Sequence, residues 1–280
     1  MDLRSFFSSS LSPAWTYSVP HSIWRLLFTA DGGIVLERRD TERKQAWFDL
    51  LDARSGAVRW SGLTFPEGWW VGLEGSADGN LFLHGYKKPD MPEHLGIICC
   101  DLATGKERWR NAECALQTVH RGSVYGFREM FERRKYIRLN GTTGAAEEEL
   151  TDLPADADAN APLEKNDFQF PRALGDESAV IADGLRRAFP GLPAAEAPSL
   201  ESLRIGHFHI VNRYAPNADP ADGLRNTFAV IDTRRQKPVY SEQLNGSTPY
   251  PVPDSFFADG SRIYFIKERT ALVALDLPQQ

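Results

Sequence analysis

Residues 50–62, LLDARSGAVRWSG, return as CCDLATGKERWRN at 99–111. Asp52, Gly56 and Trp60 match Asp101, Gly105 and Trp109, the same Asp-x3-Gly-x3-Trp spacing 49 residues on (Asp52 to Asp101). Internal repetition at this period is the strongest constraint on the chain, because each unit has faces that it cannot bury alone. A second shared element precedes each copy: TADGGIVLER from Thr29 and SADGNLFLHG from Ser76. A third copy, FADGSRIYFIKE, begins at Phe257 and runs into TALVALDL. Weaker copies lie at 120–150 and 205–244. Each unit reads as strand, Asp-Gly turn, strand, longer connection, strand, Asx-Gly turn, strand.

Such a unit is a four-stranded antiparallel meander. GNLFLHG and SRIYFIKE place β-branched and aromatic residues between turn signals. Asp-Gly turns suit tight hairpins, since glycine accepts a positive φ without steric cost. In DLATGKERW the Asp101 side chain is expected to cap the turn's backbone N–H groups, with Gly105 left-handed and Trp109 on the outer strand, covering a neighbouring sheet. Meanders stacked radially form a β-propeller, so the expected fold is all-β, a propeller of four-stranded blades in a single domain over 1–280. Full units fall at about 22–62, 68–112, 114–150 and 203–246; the last, 254–277, stops after its third strand. AWTYSVP at 14–20 supplies the missing outer strand, with Trp15 or Tyr17 standing where Trp60 and Trp109 stand, and pairing the two chain ends removes exposed sheet edges. That makes five blades. Residues 151–200 leave room for a sixth, the alternative. The favoured reading there is an inserted acidic loop and a short helix: Val180, Ile181, Leu185, Ala188 and Phe189 recur at helical spacing and stop at Pro190.

The repeat units, LLDARSGAVRW, CCDLATGKERW and AVIDT, resemble the repeat of quinoprotein-type (PQQ-enzyme-like) β-propellers, and the chain is read as a bacterial branch of that superfamily. The resemblance is good over two units, degraded in three and absent from about 151–200. It implies the propeller fold. In some periplasmic quinoproteins adjacent cysteines form a vicinal disulfide over the quinone, in a loop near the propeller axis. Here the register answers differently. Cys100 aligns with Leu51, Ile231 and Leu275, and Cys99 with Leu50, Val230 and Ala274, so the pair fills strand positions held elsewhere by aliphatics. The quinone would further need a calcium site and usually eight blades, so no cofactor is expected.

Composition narrows the partners. The chain has 280 residues, a formal net charge of −6 and 42% hydrophobic residues. Acidic balance argues against a nucleic-acid surface or an anionic membrane as partner. No run approaches 18 apolar residues, and the N-terminal MDLRSFFSSSLSPAW is a poor secretory signal, so a cytoplasmic protein is expected.

Other candidate chemistry is weaker. GHFHI sets His207 and His209 on one side of a strand, without a third ligand at suitable spacing. Asp156, Asp158 and Asn160 mimic the opening of a calcium loop, but Ala161, Pro162 and Asp167 break the pattern, leaving a solvated acidic loop. No metal site is therefore expected. Trp69 and Trp70 can stack a sugar or a base, though packing between blades is the plainer role. RRDTERK and FERRK read as solvated charged runs. Propellers bind ligands where first strands enter the central funnel; the polar residues on those segments, Arg25, Glu74, His120, Arg204 and His207, are the candidate ligand-binding residues. Which of them face the funnel is a one-residue question of register. The favoured function is a non-catalytic platform for a protein partner or small ligand. The alternative is an enzyme acting on a small molecule or sugar, with His120, His207 and Glu74 as acid–base groups; a quinone-dependent dehydrogenase comes third.

Overall fold

The structure, a computed structural model, describes residues 11–87, 92–131, 133–157, 163, 167–194, 196, 200–252 and 255–278. The chain divides into two units, 21–166 and 1–20 with 167–280. Strands are numbered in chain order from β1 (Trp15–Ser18), which belongs to the second of these. Among the described residues no helix is long and apolar enough to cross a membrane.

Unit 21–166 holds three four-stranded antiparallel sheets, each a meander in sequence order. The first contains β2 (Ser22–Phe28), β3 (Gly33–Asp40), β4 (Gln45–Asp52) and β5 (Val58–Leu63). The second contains β6 (Val71–Ala77), β7 (Asn80–Tyr86), β8 (His94–Asp101) and β9 (Glu107–Asn111). The third contains β10 (Ala115–His120), β11 (Ser123–Glu129), β12 (Arg134–Asn140) and β13 (Ala146–Leu150). Successive side chains on a strand face opposite ways, and this splits the second sheet between two cores. Leu81, Leu83, Ile98 and Cys100 pack with Val35, Phe48 and Leu50 of the first sheet. Phe82, Ile97, Cys99 and Trp109 pack with Val124, Ile137 and Leu139 of the third. Cys99 and Cys100 thus lie in different cores, both fully buried and both free.

The repeated Asx turns do what the sequence predicts. Asp52 Oδ1 accepts from the Ser55 N–H at 2.9 Å and Asp101 Oδ1 from the Thr104 N–H at 2.8 Å. Asn140 Oδ1 takes the same place against the Thr142 and Thr143 N–H groups. Gly56, Gly105 and Gly144 follow with φ of 70°, 70° and 68°. The outer-strand tryptophans couple neighbouring sheets through these turns. Trp60 Nε1 donates to the Leu102 carbonyl at 2.8 Å and its ring covers Gly105. Trp109 Nε1 donates to the Gly141 carbonyl at 3.0 Å and its ring covers Gly144, where any Cβ would enter the indole.

Unit 1–20 with 167–280 holds two sheets. One is five-stranded, with β14 (Arg172–Ala173), β15 (Glu201–Ile205), β16 (Phe208–Pro216), β17 (Leu224–Asp232) and β18 (Lys237–Thr248) in order. The fifth strand, β14, comes from the inserted segment. The other sheet has the order β1-β21-β20-β19, with β19 (Phe256–Asp259), β20 (Arg262–Lys267) and β21 (Ala271–Asp276). The N-terminal strand therefore completes the C-terminal meander, as the truncated last repeat requires. Trp15 pairs with Ala274, matching Trp60 against Leu50 and Trp109 against Cys99. The expected helix is α1 (Ala182–Ala188), which buries Leu185 and Ala188, with Ile181 and Phe189, on Val211, Ala229 and Ile231. Val180 departs from the expected stripe; it precedes the helix and is exposed.

Candidate functional site

The first strand of each sheet in unit 21–166 carries a register shift. The pairing skips Trp24 in β2, Glu74 in β6 and Gln117 in β10. A bulge re-aims the extra side chain and breaks strict alternation, and bulges cluster beside binding sites.

Beneath the bulges lies a buried polar frame. Glu37 and Arg39 of β3 are 1% and 4% exposed, far too little to be left unpaired. Arg39 Nε lies 2.5 Å from Glu37 Oε1, and its other nitrogens donate to the carbonyls of Trp69 (2.9 Å) and Val71 (2.8 Å). Glu37 Oε2 accepts from the Leu73 N–H at 2.9 Å. This pair anchors β3 to β6, so part of the run RRDTERK is core and not a solvated tip. Its neighbour Arg38 turns the other way, onto the fully buried Asp49 at 2.8 Å.

Aromatic rings cover the frame. The Arg39 guanidinium lies 4.7 Å from the Trp69 ring centre and 5.4 Å from that of Trp24, and the two indoles meet edge to face at 5.9 Å. Trp24 is 60% exposed, so the outer ring of this face meets solvent; Trp70, next in sequence to Trp69, is 38% exposed. Trp70 contacts Tyr86 at 6.0 Å, and Tyr86 in turn meets His84 and His94.

The two histidines stack in parallel, ring centres 3.5 Å apart. Both direct Nδ1 at one oxygen: Glu74 Oε2 lies 2.6 Å from His84 Nδ1 and 3.0 Å from His94 Nδ1. One ligand atom from each residue lies within 4.8 Å of the others, so among the described residues this trio could hold a metal ion. Burial alone would raise the Glu74 carboxyl, but the two imidazoles outweigh it and hold Glu74 down at about 2. His84 is pushed below the usual histidine range by burial, against the opposing pull of Glu74. At neutral pH the site therefore presents a carboxylate beside a neutral imidazole. His94 also borders a cleft of about 540 Å³, lined by Lys87, Leu95, Phe127 and Arg134 among others.

Of the candidates read from the sequence, Glu74 joins His84 and His94, while Arg25 Nη1 donates to the backbone carbonyl of Leu73, the residue before Glu74. His120 turns to Asp156 at 3.3 Å, which also pairs with Arg121. Asp158, Asn160, Ala161 and Pro162 lie outside the described residues. Arg204 is exposed, near the Gly206 carbonyl at 3.3 Å. His207 sits in the turn between β15 and β16 and not beside His209 on a strand; its ring packs on Phe208, while the buried His209 lies 3.9 Å from Glu177. His207 therefore does not share one side of a strand with His209, although the sequence spacing places them there. Glu37, Arg39, His84 and His94 were not singled out by the sequence.

Fold and site together define an all-β protein of repeated antiparallel meanders with a histidine–carboxylate cluster under an aromatic face. A family model described as a domain of unknown function (DUF4905) matches residues 29–109, a span that contains Glu37, Arg39, Glu74, His84 and His94. No curated protein sequence matches the chain. Among solved structures it is similar to a europium-containing methanol dehydrogenase, at 15% identity and a TM-score of 0.35, over 95% of this chain and 53% of that one. The chain thus spans about half the length of that dehydrogenase chain. It is similar also to BamB from Moraxella catarrhalis (8% identity, TM-score 0.31, covering 95% of this chain and 100% of that one). A third similar structure is the Cps50 (Swd1) β-propeller domain of Myceliophteria thermophila (12%, 0.32, covering 96% and 71%).

Proposed function

We propose that the protein is a non-catalytic binding protein of the β-propeller type, its five sheets the blades of one cytoplasmic domain, and that it receives a protein partner on the face carrying Trp24, Trp69 and Trp70. The observation that supports this is the pairing of exposed tryptophans with a rigid support. Trp24 is mostly exposed, yet its ring is held against Trp69 and over the buried Arg39. Exposed aromatic rings on a pre-ordered frame cost little conformational entropy on binding and supply most of the energy at protein interfaces. The three free thiols suit a reducing compartment.

The test compares wild type with Trp24→Ala/Trp70→Ala as baits in extract of the source cells, with retained proteins quantified by mass spectrometry. Both rings are exposed enough that the variant should keep its circular dichroism and melt within a few degrees of wild type. The expected result is a retained protein whose recovery falls at least tenfold with the variant. Equal recovery on both baits, or no specific retention by wild type, overturns the reading.

A further inference from the structure

We propose that Glu74, His84 and His94 form a site for one divalent transition-metal ion of the zinc class, coordinated through Glu74 Oε2 and the two Nδ1 atoms. The inference stands apart from the partner-binding reading and does not need it.

The donor set is already assembled. Three adjacent strands, β6, β7 and β8, contribute one ligand each, and the Nδ1–Oε2 separations are 2.6 and 3.0 Å. Tetrahedral ligands about 2 Å from an ion stand roughly 3.3 Å from one another, so an ion would spread the present set slightly rather than gather it. Each ring needs to turn about its Cβ–Cγ bond to aim its lone pair, and His94, at the more exposed end, has room to do so.

Burial supplies the second observation. The His84 side chain is 5% exposed; among the described residues its Nε2 has no hydrogen-bond partner, and its Nδ1 has only the 2.6 Å contact with Glu74 Oε2. Most buried side-chain polar atoms have a hydrogen-bond partner. A metal ion between them satisfies His84 Nδ1 and the carboxylate at once. The local backbone makes the place for the ring: a Cβ on Gly72, opposite His84 in the sheet, would lie 2.8 Å from Nε2.

The chemistry of the donors selects the ion. Two imidazoles and one carboxylate match zinc, cobalt(II) and nickel(II), whereas calcium and magnesium demand six or more oxygen donors. Three protein ligands leave one coordination position for water or for a donor atom of a bound molecule.

The experiment uses the full-length, untagged protein, stripped with a chelator and dialysed. Zinc is titrated against a chromophoric competitor, and cobalt(II) is added separately to read its visible ligand-field bands. The expected result is one equivalent of zinc per chain, cobalt bands of the intensity typical of four-coordination, and no saturable binding of magnesium or calcium. His94→Ala, at the exposed edge of the cluster, and Glu74→Gln should each weaken zinc at least about a hundredfold while keeping the wild-type circular dichroism. Substoichiometric or no zinc binding by wild type, octahedral cobalt bands, or undiminished affinity in both variants overturns the proposal in favour of a proton-shared histidine–carboxylate cluster. Should both variants fail to fold, the wild-type stoichiometry and cobalt spectrum decide alone.

Discussion

Cys99 and Cys100 show how much one residue's register decides. Neighbours in sequence, they point into different cores, so they cannot form the vicinal disulfide that adjacent cysteines bring to mind. Burial pushes both thiols up to about 12 and Cys114 up to about 11. A thiolate is the reactive form, so at pH 8 none of the three should react with a disulfide reagent in the native protein, and all three should react in guanidinium. Cys99→Val with Cys100→Leu puts aliphatic side chains at both positions, as Leu50 and Leu51 do in the first sheet, and should leave the melting temperature within a few degrees of wild type. Gly72 is the opposite case, a residue defined by what it lacks. In Gly72→Ala the new methyl would meet the His84 ring at 2.8–2.9 Å in a packed layer. The cost should be about 1–3 kcal/mol in a urea titration, the usual range for overpacking.

Among the elements, the Asx turn carries the repeat. Hydrogen bonds from Ser55, first its hydroxyl and then its N–H, together with Arg59, hold Asp52 down at about 2 from an ordinary 3.8. The same kinds of partner, Thr104 and Arg108, lower Asp101. A carboxyl with a depressed folded-state pKa stabilises above its unfolded value and loses that contribution as pH falls through the folded one. Stability should accordingly decline between pH 3.8 and about 2, and Asp52→Asn with Asp101→Asn should flatten that part of the profile in thermal melts taken across it. Trp109 joins this turn chemistry to the next sheet. Trp109→Phe keeps an aromatic ring but leaves the Gly141 carbonyl without its indole donor, which should cost about 1–2 kcal/mol. These features were legible in the sequence because they are local: Asp, Gly and Trp at fixed spacing specify the turn, the left-handed residue and the cover over the neighbour. The bulges were not legible. Trp24, Glu74 and Gln117 look like ordinary strand residues, and no turn or glycine spacing marks the skipped pair.

At the scale of the whole molecule, the repeat spacing led to five sheets at nearly their observed limits, and to the N-terminal strand that completes the last one. The histidine cluster escaped for the reason that hid the bulges. Glu74, His84 and His94 stand ten residues apart on three strands, and their meeting depends on shifts at Leu73/Gly75 and at His84/Gly85. Arg39 escaped because a charged run is ordinarily solvated, and only the pairing of β3 beside β6 makes its burial useful. The N-terminal strand offers the sharpest test at this scale. Trp15 and Val19 are buried, and β1 closes the outer edge of β21, whose four central residues are buried. Removing residues 1–20 would expose that edge as a row of unpaired N–H and C=O groups beside apolar side chains, a template for association. The truncated chain should melt well below wild type and form concentration-dependent oligomers in size-exclusion chromatography. Adding residues 11–20 as a separate peptide should restore the wild-type elution by pairing with β21, whereas a peptide with Trp15→Asp should not, since its charge would fall where the indole is buried against Tyr264. A truncated chain with the stability and elution of wild type would mean that the N-terminal strand is dispensable to the last sheet.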